Sequence, residues 1–227
     1  MKTDGASLEN NASLKKHRIL IVDDHPIMRE GLAQMIHHEP DLMICGQFEE
    51  TIKSFEAIAT LQPDLAIVDI SLKGSSGIEL LKNIKVQYPK LLVLILSMHD
   101  ELLYAERALR GGASGYIMKQ ESAKRVLEAI RKILNGEIYL SEKMSAKLMQ
   151  QLVGGRVLEA SSAMERLSDR ELEVFGLIGQ GRGTRQIADQ LNLSVKTIES
   201  HRSHIKEKLN VKTSTELVRR AIQLRQQ

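Results

Sequence analysis

The 227-residue chain has one cysteine, four prolines, no tryptophan, and only four Tyr and three Phe. A single cysteine, Cys45, forbids an intramolecular disulfide and fits a reducing compartment. The shortage of aromatics disfavours recognition of single-stranded nucleic acid by base stacking. No apolar run reaches the ~18 residues that a bilayer-spanning helix needs. The opening Met1-Lys2-Thr3-Asp4-Gly5-Ala6-Ser7 has no apolar stretch of the secretory kind. A membrane-spanning, exported or disulfide-stapled protein is thereby disfavoured, and a cytoplasmic one is expected. What is present is an ordinary globular mixture, 42% apolar and 27% charged. That mixture argues against wholesale disorder, and the length suits one large domain or two small ones.

The net charge of +3 conceals an asymmetry. Residues 1–140 hold 17 Lys and Arg against 19 Asp and Glu, and residues 141–227 hold 15 against 10. From Gly181 onward the count is 10 against 4, with His201 and His204 besides. An acidic front and a basic tail suggest two domains, the second facing a polyanion; a solvated cationic helix surface gives the same pattern.

Residues 1–17 are polar and are expected to form a disordered tail. Five apolar runs then alternate with helical spacing: Ile19–Val22, Leu42–Gly46, Leu65–Val68, Leu91–Leu96 and Tyr116–Met118. Four of the five are apolar throughout, as strands covered on both faces are. Strands alternating with helices imply a parallel sheet with right-handed crossovers. The expectation is an α/β domain over residues 18–137, a doubly wound five-stranded parallel sheet of order 2-1-3-4-5. Residues 138–163 are expected to be a linker with a helix over Ser141–Leu152. Residues 164–227 are expected to be a small all-α domain, with helices near Asp169–Gly179, Arg185–Leu191, Val195–Leu209 and Ser214–Leu224. Cys45 is expected in the core, and His37 and His38 on a helix surface.

The strand ends carry the chemistry. Asp23 and Asp24 close the first strand, Asp69 the third, Ser97 the fourth and Lys119 the fifth. Sites in open α/β sheets form outside the carboxyl ends of strands where the strand order reverses. In the order 2-1-3-4-5 three carboxylates converge there. They cannot all be ionised side by side without a counter-charge, and a hard divalent cation such as Mg²⁺ would supply it. A cation beside a carboxylate, with a lysine and a hydroxyl near, suits phosphoryl transfer to an Asp. Taken singly, Asp24 is equally a helix cap, Ser97 a cap for the helix near Asp100, and Lys119 a surface lysine. Placement of the whole set at four strand ends favours a site.

Ile19-Leu20-Ile21-Val22-Asp23-Asp24, Val68-Asp69-Ile70, Leu96-Ser97 and Gly115-Tyr116-Ile117-Met118-Lys119 resemble the receiver domain of bacterial two-component response regulators. That resemblance covers roughly residues 18–136 and implies a flavodoxin-like fold with Asp69 as phosphoacceptor. It implies Mg²⁺ held by Asp24 and Asp69, by Asp23 through water and by the Ser71 carbonyl. Ser97 and Lys119 would hold phosphoryl oxygens, and Tyr116 would be a switch that swings inward. The chain departs from the family at Leu72-Lys73-Gly74, where Met-Pro-Gly is common, and at Gln120, where Pro is common. Ser71 and His99 stand at the positions that tune dephosphorylation in the family.

In the basic tail, Val195, Ile198, Ile205 and Leu209 fall on one side of a helix that Ser194 can cap. Lys196, Ser200, Ser203 and Glu207 fall on the other. Such a helix suits a DNA major groove, and equally an ordinary amphipathic surface. Leu167-Ser168-Asp169-Arg170-Glu171-Leu172-Glu173-Val174, Gln186-Ile187-Ala188 and Leu191–His201 resemble the LuxR-type helix-turn-helix. That resemblance covers about residues 165–222, and together the two are similar to response regulators of the NarL/FixJ type. It implies Glu199, Ser200 and Ser203 at base edges, and Thr184, Arg185, Lys196 and Thr197 at phosphates. Glu199 could accept from a cytosine amino group or orient a neighbouring cation. Gly183 stands where a hydroxyl cap is common. The expected function is a non-enzymatic transcription regulator. A sensor histidine kinase would phosphorylate it with Mg²⁺, shifting domain release or homodimerisation and binding to paired half-sites on double-stranded DNA. An aspartyl-phosphate phosphatase is the enzymatic rival. It is disfavoured because Ser71 stands where such an enzyme needs an acid. A regulator whose receiver serves only for docking or pairing is the second rival, disfavoured by the complete acidic set.

Overall fold

The structure, a computed structural model, describes residues 16–72, 75–154, 164 and 166–225. In chain order, strand β1 is His17–Val22, helix α1 Pro26–His37, β2 Leu42–Phe48, α2 Thr51–Leu61 and β3 Leu65–Val68. Next come β4 Ser71–Leu72, β5 Ser75–Ser76, α3 Gly77–Gln87, β6 Leu92–Ser97 and α4 Glu101–Arg110. Strand β7 Gly115–Met118 and helices α5 Ala123–Leu134 and α6 Glu142–Gly154 complete the front part. The basic tail forms α7 Asp169–Gly179, α8 Thr184–Gln190, α9 Val195–Lys208 and α10 Ser214–Arg225.

The five long strands pair in the order β2-β1-β3-β6-β7, all parallel. Counted among themselves they run 2-1-3-4-5, the order expected of a flavodoxin-like receiver. Alternation along each strand serves the two faces. Ile19, Ile21, Leu65, Ile67, Leu94 and Leu96 pack with α1 and α5 through Leu32, Ile36, Val126 and Ile130. Leu20, Val22, Ala66, Val68, Val93 and Ile95 pack toward α2, α3 and α4 through Ile58, Leu81, Ile84 and Tyr104. This second core runs on without a break into the tail helices, through Leu172, Phe175, Ile198 and Leu217. Among the described residues no helix is long and apolar enough to cross a membrane.

Three expectations are corrected. Strand β1 starts at His17, inside the expected tail, because the His17 backbone N–H donates to the Asp41 carbonyl at 2.9 Å. Pairing with β2, not side-chain hydrophobicity, sets that end. Cys45 is half-buried. The β1–β2 register slips there, Ile19 pairing with Ile44 and Leu20 with Gly46. Cys45 is the extra residue, turned so that its thiol meets the Ile19 carbonyl at 3.3 Å. Val195 is 40% exposed: it stands in the first turn of α9, beyond the cover that Ile198 and Ile205 receive further along. The short antiparallel pair β4–β5 is an element that hydrophobic patterning does not show. Lys73, Gly74 and the linker at 160–163 lie outside the described residues.

Candidate functional site

Backbone pairing brings the acidic residues together. Strands β1 and β3 are neighbours, Val22 pairing with Val68. Asp23 and Asp69 therefore leave the sheet side by side, and Asp69 N–H donates to the Val22 carbonyl at 2.9 Å. One atom each of Asp23, Asp24, His25 and Asp69 lie within 4.8 Å of one another. Asp23 and Asp69 are buried at 1% and 3% exposure. Strand β7 delivers Lys119, whose Nζ lies 2.6 Å from Asp23 Oδ2 and 2.7 Å from Asp69 Oδ2.

Gly77 closes the floor. A Cβ there would stand 1.8 Å from the Asp69 carbonyl oxygen. The Gly77 N–H donates to the Ile70 carbonyl at 2.7 Å. Strand β5 thereby leads into α3 against the backbone of Asp69.

Charge and burial oppose each other here. Burial pushes the Asp69 carboxyl up to about 6; the Lys119 ammonium pulls it down and the Asp23 carboxylate pushes it up again. Burial works against the charge on Lys119, but Asp69 and Asp23 hold its pKa above the ordinary lysine value. One ammonium against three carboxylates leaves excess negative charge. The donors are oxygens, the kind a hard divalent cation takes. The pocket therefore fits such an ion on the chemistry of its donors.

The other expected residues stand around this pocket. Ser97 is fully buried, and its Oγ accepts from the His99 N–H at 3.1 Å. It does not cap the following helix; Asp100 does, accepting from the Leu102 N–H at 2.9 Å. Asp24 is not the cap of α1 either: His25 occupies that position without a side-chain bond. Tyr116 is fully buried and already points inward, its hydroxyl donating to the His99 carbonyl at 2.8 Å. Burial pushes the Tyr116 hydroxyl far above its ordinary pKa, so it remains a donor.

Two residues join the pocket that sequence reasoning did not place there, His25 and Glu173, and His99 stands beside it as the resemblance implies. His25 Nδ1 sits over the carboxylates, 2.8 Å from Asp24 Oδ1 and 3.8 Å from Asp69 Oδ2. Its place directly after the paired aspartates was the signal. His99 Nε2 lies 2.6 Å from the Ser71 Oγ. Glu173, from α7, takes a hydrogen bond from that same Ser71 Oγ, and no local signal foretells a contact between residues 102 positions apart. Burial works to raise the Glu173 pKa, but a hydrogen bond from His99 and the charge of Arg170 hold it below the usual carboxylate value.

The tail helices present a second surface. Ser194 caps α9, accepting from the Thr197 N–H at 3.0 Å, and its hydroxyl lies 2.8 Å from that of Thr197. Lys196, Glu199, Ser200 and Ser203 are exposed along α9, while Ile198 and Ile205 are buried beneath. Thr184 opens α8 beside the exposed Arg185. Gly183 contributes no side-chain cap; Gln186 Oε1 instead accepts from the Gly183 N–H at 2.9 Å.

Comparison with known proteins gives two family matches. A family model for the response regulator receiver domain matches residues 19–131. One for bacterial regulatory proteins of the luxR family matches residues 165–221. The oxygen regulatory protein NreC of Staphylococcus carnosus (strain TM300) is 34% identical over 209 residues, covering 90% of this chain and 96% of NreC. RcsB from Salmonella enterica serovar Typhimurium, bound to promoter rprA in the presence of the phosphomimetic BeF3⁻, is similar in structure. It is 26% identical with a TM-score of 0.61, covering 92% of this chain and 99% of that one. A structure of two RcsB dimers bound to two parallel DNAs is 26% identical with a TM-score of 0.56, covering 91% and 98%.

Proposed function

The chain belongs to the two-component response regulators of the NarL/FixJ type, and we propose that Asp69 is the carboxylate through which it is switched. It is a phosphorylation-dependent DNA-binding transcription regulator and not an enzyme. The observation that carries the proposal for Asp69 is its place at a buried strand end, 2.7 Å from Lys119 and among Asp23, Asp24 and His25.

In this proposal an Asp69 carboxylate oxygen attacks the phosphorus of a phosphohistidine on a sensor kinase. The new P–O bond forms as the P–N bond breaks, and the imidazole leaves. Mg²⁺, when bound, neutralises the charge that builds on the transferred group. Asp24, Asp69 and the Ser71 carbonyl would hold it directly, and Asp23 through water. Lys119 stands where its ammonium can follow the phosphoryl oxygens, and the Ser97 hydroxyl where it can donate to one.

The basic domain would then meet DNA through α8 and α9. Thr184, Arg185, Lys196 and Thr197 would contact phosphates, fixing register. Glu199, Ser200 and Ser203 would meet base edges in the major groove. Exposure of Lys196, Glu199, Ser200 and Ser203 on one helix supports this. RcsB binds DNA as dimers, which supports a homodimer on paired half-sites here. The proposal also places the protein in the cytoplasm.

Intact mass after incubation with a small phosphodonor and Mg²⁺ tests the chemistry. One Mg²⁺-dependent phosphoryl adduct is expected on the wild type and none on Asp69→Asn. An adduct of equal yield on Asp69→Asn would sink the assignment.

A further inference from the structure

Glu173 belongs to the DNA-binding half, yet its carboxylate ends in the receiver. It is fully buried. Its Oε1 accepts from the Ser71 Oγ and lies 3.6 Å from His99 Nε2. Its Oε2 takes Arg170 Nη1 at 2.5 Å. A carboxylate removed from water must find such partners or stay out of the interior. Two of the three come from the receiver.

Those two are not arbitrary. Ser71 follows Asp69 by two residues, and His99 follows Ser97 by two. The backbone around His99 is held by Ser97 and by the Tyr116 hydroxyl. Glu173 therefore ties together the segment that carries Asp69 and the segment that carries Ser97. Other contacts cross between the same two parts. Asp169 meets Lys82 at 2.7 Å and Arg107 at 3.0 Å, and Arg107 donates to the Met164 carbonyl at 2.8 Å. Gly176 lies against Tyr104, where a Cβ would stand 3.2 Å from the hydroxyl oxygen. That hydroxyl is buried with no hydrogen-bond partner, so the interface leaves a polar group that separation would return to water.

We propose that Glu173 is a positioning residue for the receiver's phosphoryl chemistry, acting through Ser71 and His99 to hold the rim of the Asp69 pocket in an arrangement that resists phosphorylation. The inference rests on Asp69 being the phosphoacceptor. Phosphorylation replaces the single negative charge of the Asp69 carboxylate with the nearly two of an acyl phosphate, a net gain of about one, and adds bulk beside segments that already hold a buried carboxylate. Docking of Glu173 and phosphorylation of Asp69 therefore oppose each other. Coupling of this kind is reciprocal: what lowers the phosphorylated population when docked lowers docking when phosphorylated.

The test is the initial rate of phosphorylation of the full chain by acetyl phosphate with Mg²⁺, read by intact mass. The variants are wild type, Glu173→Gln, Ser71→Ala/His99→Ala, and the triple variant. Glu173→Gln keeps the shape and removes the charge. The expected result is a rate about fivefold or more above wild type. In the Ser71→Ala/His99→Ala background the same substitution should change the rate less than twofold, since the residues it acts through are gone. Small-angle scattering without donor or metal gives a second readout, where Glu173→Gln should enlarge the radius of gyration. A Glu173→Gln rate within twofold of wild type, an undiminished effect in the doubly substituted background, or an unchanged radius would each overturn the inference while leaving Asp69 as acceptor. No adduct on wild type would remove the assignment of Asp69, and the inference with it.

Discussion

The acidic pocket and the exposed face of α9 are both built from polar residues, but by opposite means. The pocket collects Asp23, Asp69, Ser97 and Lys119 from four strands, buries their side chains, and ties Asp23 and Asp69 to Lys119 by ion pairs. The face of α9 collects Lys196, Glu199, Ser200 and Ser203 from about two turns of one helix and leaves them in water. The first holds charge where it is costly. The second relies on periodicity, with the fold supplying a buried underside. A pocket of the first kind is sensitive to small changes in backbone and charge, and a face of the second kind tolerates them.

The sharpest break in that contrast is at Gly77. Gly77→Ala would drive a Cβ into the Asp69 carbonyl, 1.8 Å away. A loss of about 4 kcal/mol or more is expected, with urea unfolding as the measurement. An alanine variant of unchanged stability would show that the floor can give way.

Next is the charge of Asp69. Its folded pKa of about 6 against an ordinary 3.8 means that the fold holds the proton more tightly than the unfolded chain. Stability of the metal-free protein therefore falls as pH rises from about 4 through about 6. Asp69→Asn removes this cost and should gain about 3 kcal/mol at pH 7.5 in chelator, and little at pH 4. Added Mg²⁺ should raise the melting temperature of wild type more than that of the variant. A gap independent of pH would mean that the pocket does not strain Asp69.

On α9 the effects should be smaller and of a different form. Lys196→Ala should weaken binding to every duplex alike and lower the dependence on log salt by about one charge. Glu199→Ala should change preference at one base pair by about 1–3 kcal/mol. A sequence-selective effect of Lys196→Ala in competition binding would reverse these roles. Smallest is Val195→Ser, expected to change stability by less than about 0.5 kcal/mol because the side chain is 40% exposed.

Much of this was legible in the sequence. The five strands and their helices follow from apolar runs covered on both faces, and the pocket follows from which residues end those runs. The positions of Asp23, Asp69, Ser97 and Lys119 depend on strand order, which alternation with helices constrains strongly. What was not legible depends on contacts without local periodicity. The β4–β5 pair is two residues on each side, too short for a pattern. The bulge at Cys45 leaves no mark in hydrophobicity. Val195 has the spacing of a core residue, but spacing does not say where the partner surface stops. Glu173 sits in a motif that identifies its own domain, while its hydrogen bonds lie in the other.

The polar face of α9 is open while α7 is docked on the receiver. Attraction to duplex DNA of any sequence needs only an accessible cationic surface. If the exposed residues of α8 and α9 meet DNA as proposed, a docked chain is expected to hold duplex of any sequence weakly before Asp69 is phosphorylated. The search for a site would then precede the signal. Retention of the unphosphorylated protein on non-operator duplex at low salt, equal to that of the phosphorylated form, is the expected sign. Loss of that retention would return the search to the time after the signal.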